Sequence, residues 1–221
     1  MGELRSIATP LHRSTARDYL GRMVDDKVEA MRVAGAYGAD YWDGDRRYGY
    51  GGYTFRPGYW AGPAAELIRA YGLERGSSVL DVGCGKAFLL HELLTAEPGL
   101  SVAGLDVSPH ALADATDLVR PHLSIGDARR SLPWADQSFD LVISLAVLHN
   151  FYLPEVSAAL AEIQRVGRRA FVMVESYRNE QELFNLECWA LTCRTFLSVD
   201  DWLWLFDRCG YRGDYEFIFF E

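Results

Sequence analysis

A glycine-rich turn and two acidic residues follow successive apolar runs. Residues 79–87 read VLDVGCGKA, so that an apolar run ends in Gly83 and Gly85 and leads directly into a helical segment. Glycine lets a backbone turn sharply and approach a ligand closely. Asp106 ends the next run, GLDVS, where a carboxylate can accept hydrogen bonds from ribose hydroxyls. Asp127, in GDA after a third run, can accept a hydrogen bond from an adenine amino group.

Each of these signals has a simpler interpretation. A Gly-x-Gly pair also serves ordinary turns, Asp106 precedes the helix cap Ser108, and aspartate is common in turns. A dinucleotide-binding turn is not indicated, because that fingerprint has a third glycine where this sequence has Phe88. The combination, in order along the chain, therefore favours a nucleoside-containing ligand other than a dinucleotide.

The elements that position these residues alternate between short apolar runs and helical stretches. SSVLDVGC, SVAGLDV, FDLVISLA and RAFVMVES predict buried strands, and LSIG predicts a weaker one. Helices are predicted at 87–95, 109–118 and 154–166, the second capped by Ser108 with proline at its first position. SVDDWLWLFDRCG and YEFIFF predict a closing helix and strand. This order predicts an α/β fold: a Rossmann-like, mostly parallel sheet with helices on both faces.

The N-terminal third follows a different pattern. Residues 15–36 predict one amphipathic helix, whose apolar face would carry Leu20, Met23, Val24, Val28 and Met31. Residues 41–60, dense in glycine and aromatic residues, have no helical or strand period and predict a long ordered loop of the kind that is often functional. We therefore divide the chain into an N-terminal helical cap and lid, 1–76, and a core, 77–221.

The ordered motifs VLDVGCGKA, GLDVS, GDA and LPWADQSFDLVISLAVLHN resemble those of class I S-adenosylmethionine-dependent methyltransferases of the small-molecule type, over roughly residues 77–176. Many relatives carry a further glycine where this chain has Ala87. The resemblance implies S-adenosylmethionine as cofactor and assigns its parts by position. The methionine part would contact Asp81, Gly83, Cys84, Gly85 and the Leu145 backbone; the nucleoside would contact Asp106, Val107, Asp127 and Ala128.

The acceptor end of the site is predicted from residues at strand ends and in the 41–60 loop. His149 has a side chain suited to proton transfer near neutrality, and Glu175 with Tyr177 ends the fifth strand, at the edge where ligands bind in open sheets. His149 and Glu175 are alternative bases, and each has a purely structural interpretation. The predicted lid residues are Trp42, Arg46, Tyr48, Tyr53 and Arg56, which would exclude water and clamp an anionic group. A packed aromatic loop is the alternative.

Composition limits the partners. The net charge of −9 argues against broad contact with nucleic acid. The sequence contains no run of about 18 apolar residues, so no membrane span is expected. The N-terminus does not read as a secretion signal, so we expect a cytoplasmic protein with reduced thiols. The four cysteines match no zinc pattern and no metal is expected. The oligomeric state is open, a homodimer included.

Together these features predict an enzyme that methylates an oxygen or nitrogen of a small polar metabolite, possibly an anionic one. Two alternatives stay open: a non-catalytic S-adenosylmethionine-binding protein, and a methyltransferase that acts on a protein side chain. The first needs neither His149 nor Glu175. Convergence of these two side chains on one pocket would therefore favour the enzyme.

Overall fold

A computed structural model describes residues 2–13 and 16–221. Six strands form one sheet in the order β3-β2-β1-β4-β5-β6, with every neighbouring pair parallel. The strands are β1 Ser78–Val82, β2 Ser101–Asp106, β3 Leu123–Ile125, β4 Leu141–Leu145, β5 Ala170–Glu175 and β6 Asp214–Ile218. The strand order reverses between β1 and β4, and ligands of open parallel sheets bind beyond the carboxyl ends of the strands at such a point. The predicted Rossmann-like fold is confirmed.

The ten helices of the described residues are α1 Thr9–Arg13, α2 Tyr19–Val24, α3 Lys27–Ala34, α4 Ala39–Trp42, α5 Ala61–Tyr71, α6 Phe88–Ala96, α7 Pro109–Ala113, α8 Leu153–Val166, α9 Glu180–Trp189 and α10 Val199–Arg208. Alternate strand residues serve the two faces of the sheet: Val79 packs in one core with α5, α6 and α9, and Leu80 packs in the other with α8 and α10. No helix of the described ranges is long and apolar enough to cross a membrane.

The single helix predicted over 15–36 is wrong. The chain forms α2 and α3 instead, separated at Asp25 and Asp26, and Asp26 has the left-handed φ of +41° that interrupts a regular helix. The proposed apolar face does not face the core, since Val24 is 81 % and Val28 80 % exposed. Residues 14 and 15, the second of which begins the predicted helix, lie outside the described residues.

The segment before β1 is joined to the core at both ends. Leu4 forms a bridge with Tyr215 of β6, and the buried Glu216 carboxylate accepts hydrogen bonds from the backbone N–H groups of Ile7, Ala8 and Thr9. α5 packs against α6. Residues between these anchors, from α2 to residue 60, lie over the carboxyl edge of the sheet, and we call residues 37–53 the roof.

Candidate active site

The glycine turn after β1 has the backbone that its sequence requires. Gly83 and Gly85 have φ of +82° and +55°, and a Cβ on Gly83 would stand 2.2 Å from Val147 Cγ2. The Gly85 N–H donates to Asp106 Oδ2 at 2.8 Å, and the Ser108 N–H donates to Asp106 Oδ1 at 2.8 Å. The turn is therefore held against the end of β2 by the acid that the sequence singled out.

Two buried carboxylates stand side by side here. Burial, with a contribution from the Asp106 charge, raises the pKa of Asp81 to about 8, and burial also raises the pKa of Asp106. No group of residues 2–13 and 16–221 donates a hydrogen bond to the Asp81 carboxylate. A carboxylate accepts about four hydrogen bonds, and Asp106 has used two from Gly85 and Ser108. The pair suits a ligand that brings positive charge and hydroxyl donors.

Replacing Asp81 with asparagine is expected to change how stability depends on pH. Because the folded protein holds the Asp81 proton up to about pH 8 and the unfolded chain releases it near pH 4, folding stability contributed by this group falls as pH rises between those values. We expect Asp81→Asn to remove this slope and to raise the free energy of unfolding at pH 8 by roughly 2 kcal/mol or more. Urea unfolding at pH 5 and pH 8 measures the change in the free energy of unfolding with pH. The same pH dependence in the wild type and the variant would contradict a raised pKa for Asp81.

The roof covers the glycine turn. The Trp42 indole is 2.7 Å from the position of a Cβ on Gly85, and its Nε1–H is shared between Ser108 Oγ at 3.0 Å and the Tyr37 carbonyl at 3.1 Å. The ammonium of Lys86, a residue with no exposed surface, lies 2.7 Å from Asp43 Oδ1 and 2.6 Å from Asp114 Oδ2. Sequence reasoning missed this contact, because no local pattern links Asp43 to Lys86.

A cavity of about 460 Å³ opens between the roof and the carboxyl ends of β4 and β5. Of the predicted site residues it brings together His149 and Glu175 with Arg46, Tyr53 and Arg56. Ala146, whose φ is +58°, also lines it, directly after Leu145 at the end of β4. The two ends of the predicted acceptor site therefore meet in one space.

His149 and Glu175 form a pair in this cavity. The Glu175 backbone N–H donates to His149 Nδ1 at 3.2 Å, so the proton of a neutral ring is on Nε2, 3.4 Å from Glu175 Oε2. Burial lowers the pKa of His149, with the Glu175 charge opposing this, so the ring is neutral at pH 7. His149 is 3 % exposed, whereas Glu175 is half-buried. His149 is therefore the buried partner of the pair, and the Glu175 carboxylate is the group that a bound molecule can reach.

Other predicted residues lie outside the cavity. Tyr177 bridges Ser198 and lines a separate groove on the far side of β6, because the chain turns away after β5 ends at Glu175. Tyr48 ends the turn at 46–48 and packs against the α3 residues Ala30 and Ala34. These positions remove Tyr177 and Tyr48 from direct contact with anything bound beside Glu175.

The remaining predicted contacts are at the edge beyond β2 and β3. Val107 is 45 % exposed and Ala128 is buried. Asp127 accepts a bidentate pair of hydrogen bonds from its neighbour Arg129, and this arginine holds the pKa of Asp127 below its usual range. The Cys84 thiol packs against the strand at Gly104, which leaves only its backbone on the turn. In the described ranges, no three His, Cys, Asp or Glu side chains are grouped to hold a metal ion.

The cavity wall contains residues that sequence reasoning did not select: Arg17, Arg22 and Trp189. Arg17 and Arg22 lie in the part of the chain for which a single helix was predicted, and Trp189 ends α9. Of the two tryptophans of α10, Trp202 is fully buried and Trp204 is 64 % exposed. The sequence feature that could have indicated a cationic cavity wall is the recurrence of arginine at 17, 22, 46, 47 and 56, within and before an aromatic-rich loop.

Comparison with known proteins agrees with this geometry. Residues 80–170 match the family described as "Methyltransferase domain". The chain is 36 % identical over 119 residues to trans-aconitate 2-methyltransferase of Mycobacterium tuberculosis, covering 54 % of this chain and 41 % of that protein. It is 27 % identical over 197 residues to 2-methyl-6-phytyl-1,4-hydroquinone methyltransferase of Synechocystis, covering 80 % and 58 %. It thus spans about half the length of these curated relatives.

Solved structures show the same fold. A chain from the complex that contains the Haloferax volcanii Trm112 methyltransferase activator superposes with a TM-score of 0.54, at 23 % identity, over 68 % of this chain and 74 % of that one. The YcgJ protein of Bacillus superposes with a TM-score of 0.52, at 20 % identity, over 66 % of each chain. At these identities the superpositions are evidence of the sheet and its helices alone.

Proposed function

We propose that the chain, in which residues 80–170 match a methyltransferase domain family, is a class I S-adenosylmethionine-dependent methyltransferase that transfers the methyl group to an oxygen or nitrogen of a small polar acceptor held in the cavity beside Glu175. The observation that carries this proposal is the convergence of the His149–Glu175 pair on a cavity that is also lined by Phe88, the first residue of α6 after the glycine turn, and by Ala146 after β4. A protein that only bound the cofactor would need no carboxylate at this position.

The residues of the glycine turn fit the methyl donor. Its sulfonium and ammonium groups are cationic, and a cation beside the buried Asp81 carboxyl group, which has no hydrogen-bond partner in the described part of the chain, would favour release of the proton that Asp81 otherwise holds up to about pH 8. Asp106 has acceptor capacity left for ribose hydroxyls. Val107, Asp127 and Ala128 are the candidates for contact with the adenine. When bound, the donor supplies a methyl carbon activated toward displacement by its sulfonium.

The chain contributes alignment and proton transfer. The roof and the wall of the cavity hold the acceptor in line with the donor site, and alignment of this kind can supply roughly 7–11 kcal/mol of the barrier. Glu175 accepts the proton that the acceptor hydroxyl or amine loses as its bond to the methyl carbon forms. His149 Nε2 lies 3.4 Å from Glu175 Oε2, so the neutral ring places its N–H beside the carboxylate and restricts where it can lie; His149 is a positioning residue. Tyr50 and Tyr53 line the cavity on the roof side and would reduce the access of water to a bound acceptor.

A screen of small acceptors that follows release of S-adenosylhomocysteine tests the proposal. We expect turnover above the acceptor-free background with at least one small hydroxyl or amine compound, and no turnover with unfolded protein as a control. Micromolar S-adenosylmethionine binding in calorimetry without turnover on any small acceptor would favour the non-catalytic alternative. Turnover on a protein side chain, with none on small acceptors, would favour the alternative of a methyltransferase that acts on proteins.

A further inference from the structure

Three arginines surround one tryptophan in the wall of the cavity. The guanidinium carbons of Arg17, Arg22 and Arg46 lie 5.5, 4.3 and 5.2 Å from the ring centroid of Trp189. All four residues line the same cavity as Glu175. Guanidinium groups stack on aromatic faces and leave their N–H groups free to bind planar anions in pairs. We call these four residues the arginine cluster.

The cluster has more positive charge than its surroundings neutralise. Within the described residues, no carboxylate lies within 4.0 Å of Arg22 or Arg46, whereas the neighbouring Arg47 pairs with Asp25 at 3.1 Å. The Nε of Arg22 is buried without an acceptor, and the hydrogen bonds that Arg22 and Arg46 donate go to backbone carbonyls. Burial and the Arg46 charge lower the pKa of Arg22 to about 10. The partly buried charge of Arg22 is costly until an anion pairs with it, whereas Arg46 is exposed and adds positive charge at the mouth of the site.

The other titratable groups in the lining do not change this balance. Among the described residues that line the cavity, Glu175 is the one acid. Burial and the Arg17 charge lower the pKa of His12 to about 4, so His12 is neutral. Arg56 adds a further cation, with its guanidinium over Tyr59 instead of Trp189. At neutral pH the residues that line the cavity therefore carry a net charge of at least +2, after the negative charge of Glu175 is subtracted.

We propose that the arginine cluster binds the acidic part of the methyl acceptor, and that the acceptor is a small acid with two or more negative charges, in carboxylate or phosphate groups. This inference rests on the proposed function and names its substrate class. The anionic groups lie on the Trp189 side, and the nucleophilic oxygen or nitrogen lies on the Glu175 side. Specificity follows because a neutral analogue leaves the charges of Arg22 and Arg46 without an anionic partner.

Calorimetry on the protein saturated with S-adenosylhomocysteine tests this without any need for turnover. The probes are glutarate, tricarballylate, the neutral diamide glutaramide, and inorganic phosphate, all at one fixed salt concentration. We expect the di- and tricarboxylates or phosphate to bind at least tenfold more tightly than glutaramide. Binding of the carboxylates alone identifies carboxylate as the recognised group, and binding of phosphate alone identifies phosphate.

Matched variants locate the site. Arg22→Gln and Arg46→Gln are each expected to weaken anion binding at least tenfold, and Arg47→Gln, its charge already paired with Asp25, less than twofold. S-Adenosylhomocysteine affinity should stay within about threefold in all three. Equal binding of glutaramide and glutarate, unchanged affinity in both cluster variants, or turnover on uncharged acceptors only would overturn the inference and leave methyl transfer standing. Failure of the wild type to bind S-adenosylhomocysteine would instead overturn the proposed function.

Discussion

Replacing Gly85 with aspartate is expected to raise the dissociation constant for S-adenosylmethionine at least 100-fold. Gly85 has φ +55°, which a residue with a side chain rarely adopts, and a Cβ there would stand 2.7 Å from Trp42 Cη2. The new carboxylate would also lie beside Asp106, whose Oδ2 accepts from the Gly85 N–H. A third acid next to Asp81 and Asp106 would distort the turn that holds the donor. A 100-fold loss corresponds to about 2.7 kcal/mol.

A control with the same backbone geometry separates this local effect from general strain. Gly72, after α5, also has φ +55°, but it is exposed, and beyond its chain neighbours no described atom lies within 4 Å of where its Cβ would stand. Gly72→Asp should therefore lose some stability and keep its donor affinity. Calorimetry measures the dissociation constant of S-adenosylmethionine for each variant, and circular dichroism shows whether both variants fold. Wild-type affinity in folded Gly85→Asp would mean that the donor binds elsewhere.

Glu175→Gln is expected to lower turnover at least 100-fold, since a positioned base contributes about 10²–10⁴-fold. Glutamine keeps the size of the side chain and can still pair with His149, so donor affinity should change less than threefold. The measurement is kcat with the acceptor that the screen identifies. Glu180→Gln, on the exposed N-terminal turn of α9, is the matched control and should be unaffected. Retention of more than a tenth of the wild-type rate in Glu175→Gln would remove Glu175 as the base.

The role of His149 is read from a pair of variants. His149→Gln keeps an N–H group that can face Glu175, as the Nε2–H group of His149 does with its nitrogen 3.4 Å from Oε2, whereas His149→Ala does not. We expect the alanine variant to lose at least tenfold in kcat and the glutamine variant to recover most of it. If His149 were itself the base, both would be equally inactive. That result would exchange the two roles: His149 would be the base, and Glu175 would orient its ring.

The positions of the residues proposed to bind the donor could be predicted from the sequence because they follow or end strands within one continuous run. Gly83, Gly85 and Asp106 are each placed by the strand that precedes them, and parallel strands bring their ends together. The acceptor side could be predicted only in part. His149 lies in the short turn of helix after β4 and Glu175 ends the adjacent β5, but their relation depends on the Glu175 backbone N–H that donates to His149 Nδ1, which no sequence pattern indicates.

The N-terminal region was least predictable, for physical reasons. Its helices are short, and the helix predicted over 15–36 is interrupted where Asp26 takes a left-handed conformation. Arg22 and Arg46 are brought together by packing on Trp189, which is more than 140 positions away in the chain. Contacts of this range depend on the finished fold, so the spacing of the arginines alone did not distinguish Arg46 from Arg47.

The roof links the timing of ligand exchange to the mobility of the polypeptide. While Trp42 lies on Gly85 and Asp43 pairs with Lys86, a molecule held against the glycine turn is enclosed on that side. Its departure on that side requires the Trp42–Ser108 hydrogen bond and the Asp43–Lys86 ion pair to break together. We therefore expect the residence time of a molecule bound there to depend on how often residues 37–53 open locally, so that a product with weak contacts of its own can still leave slowly.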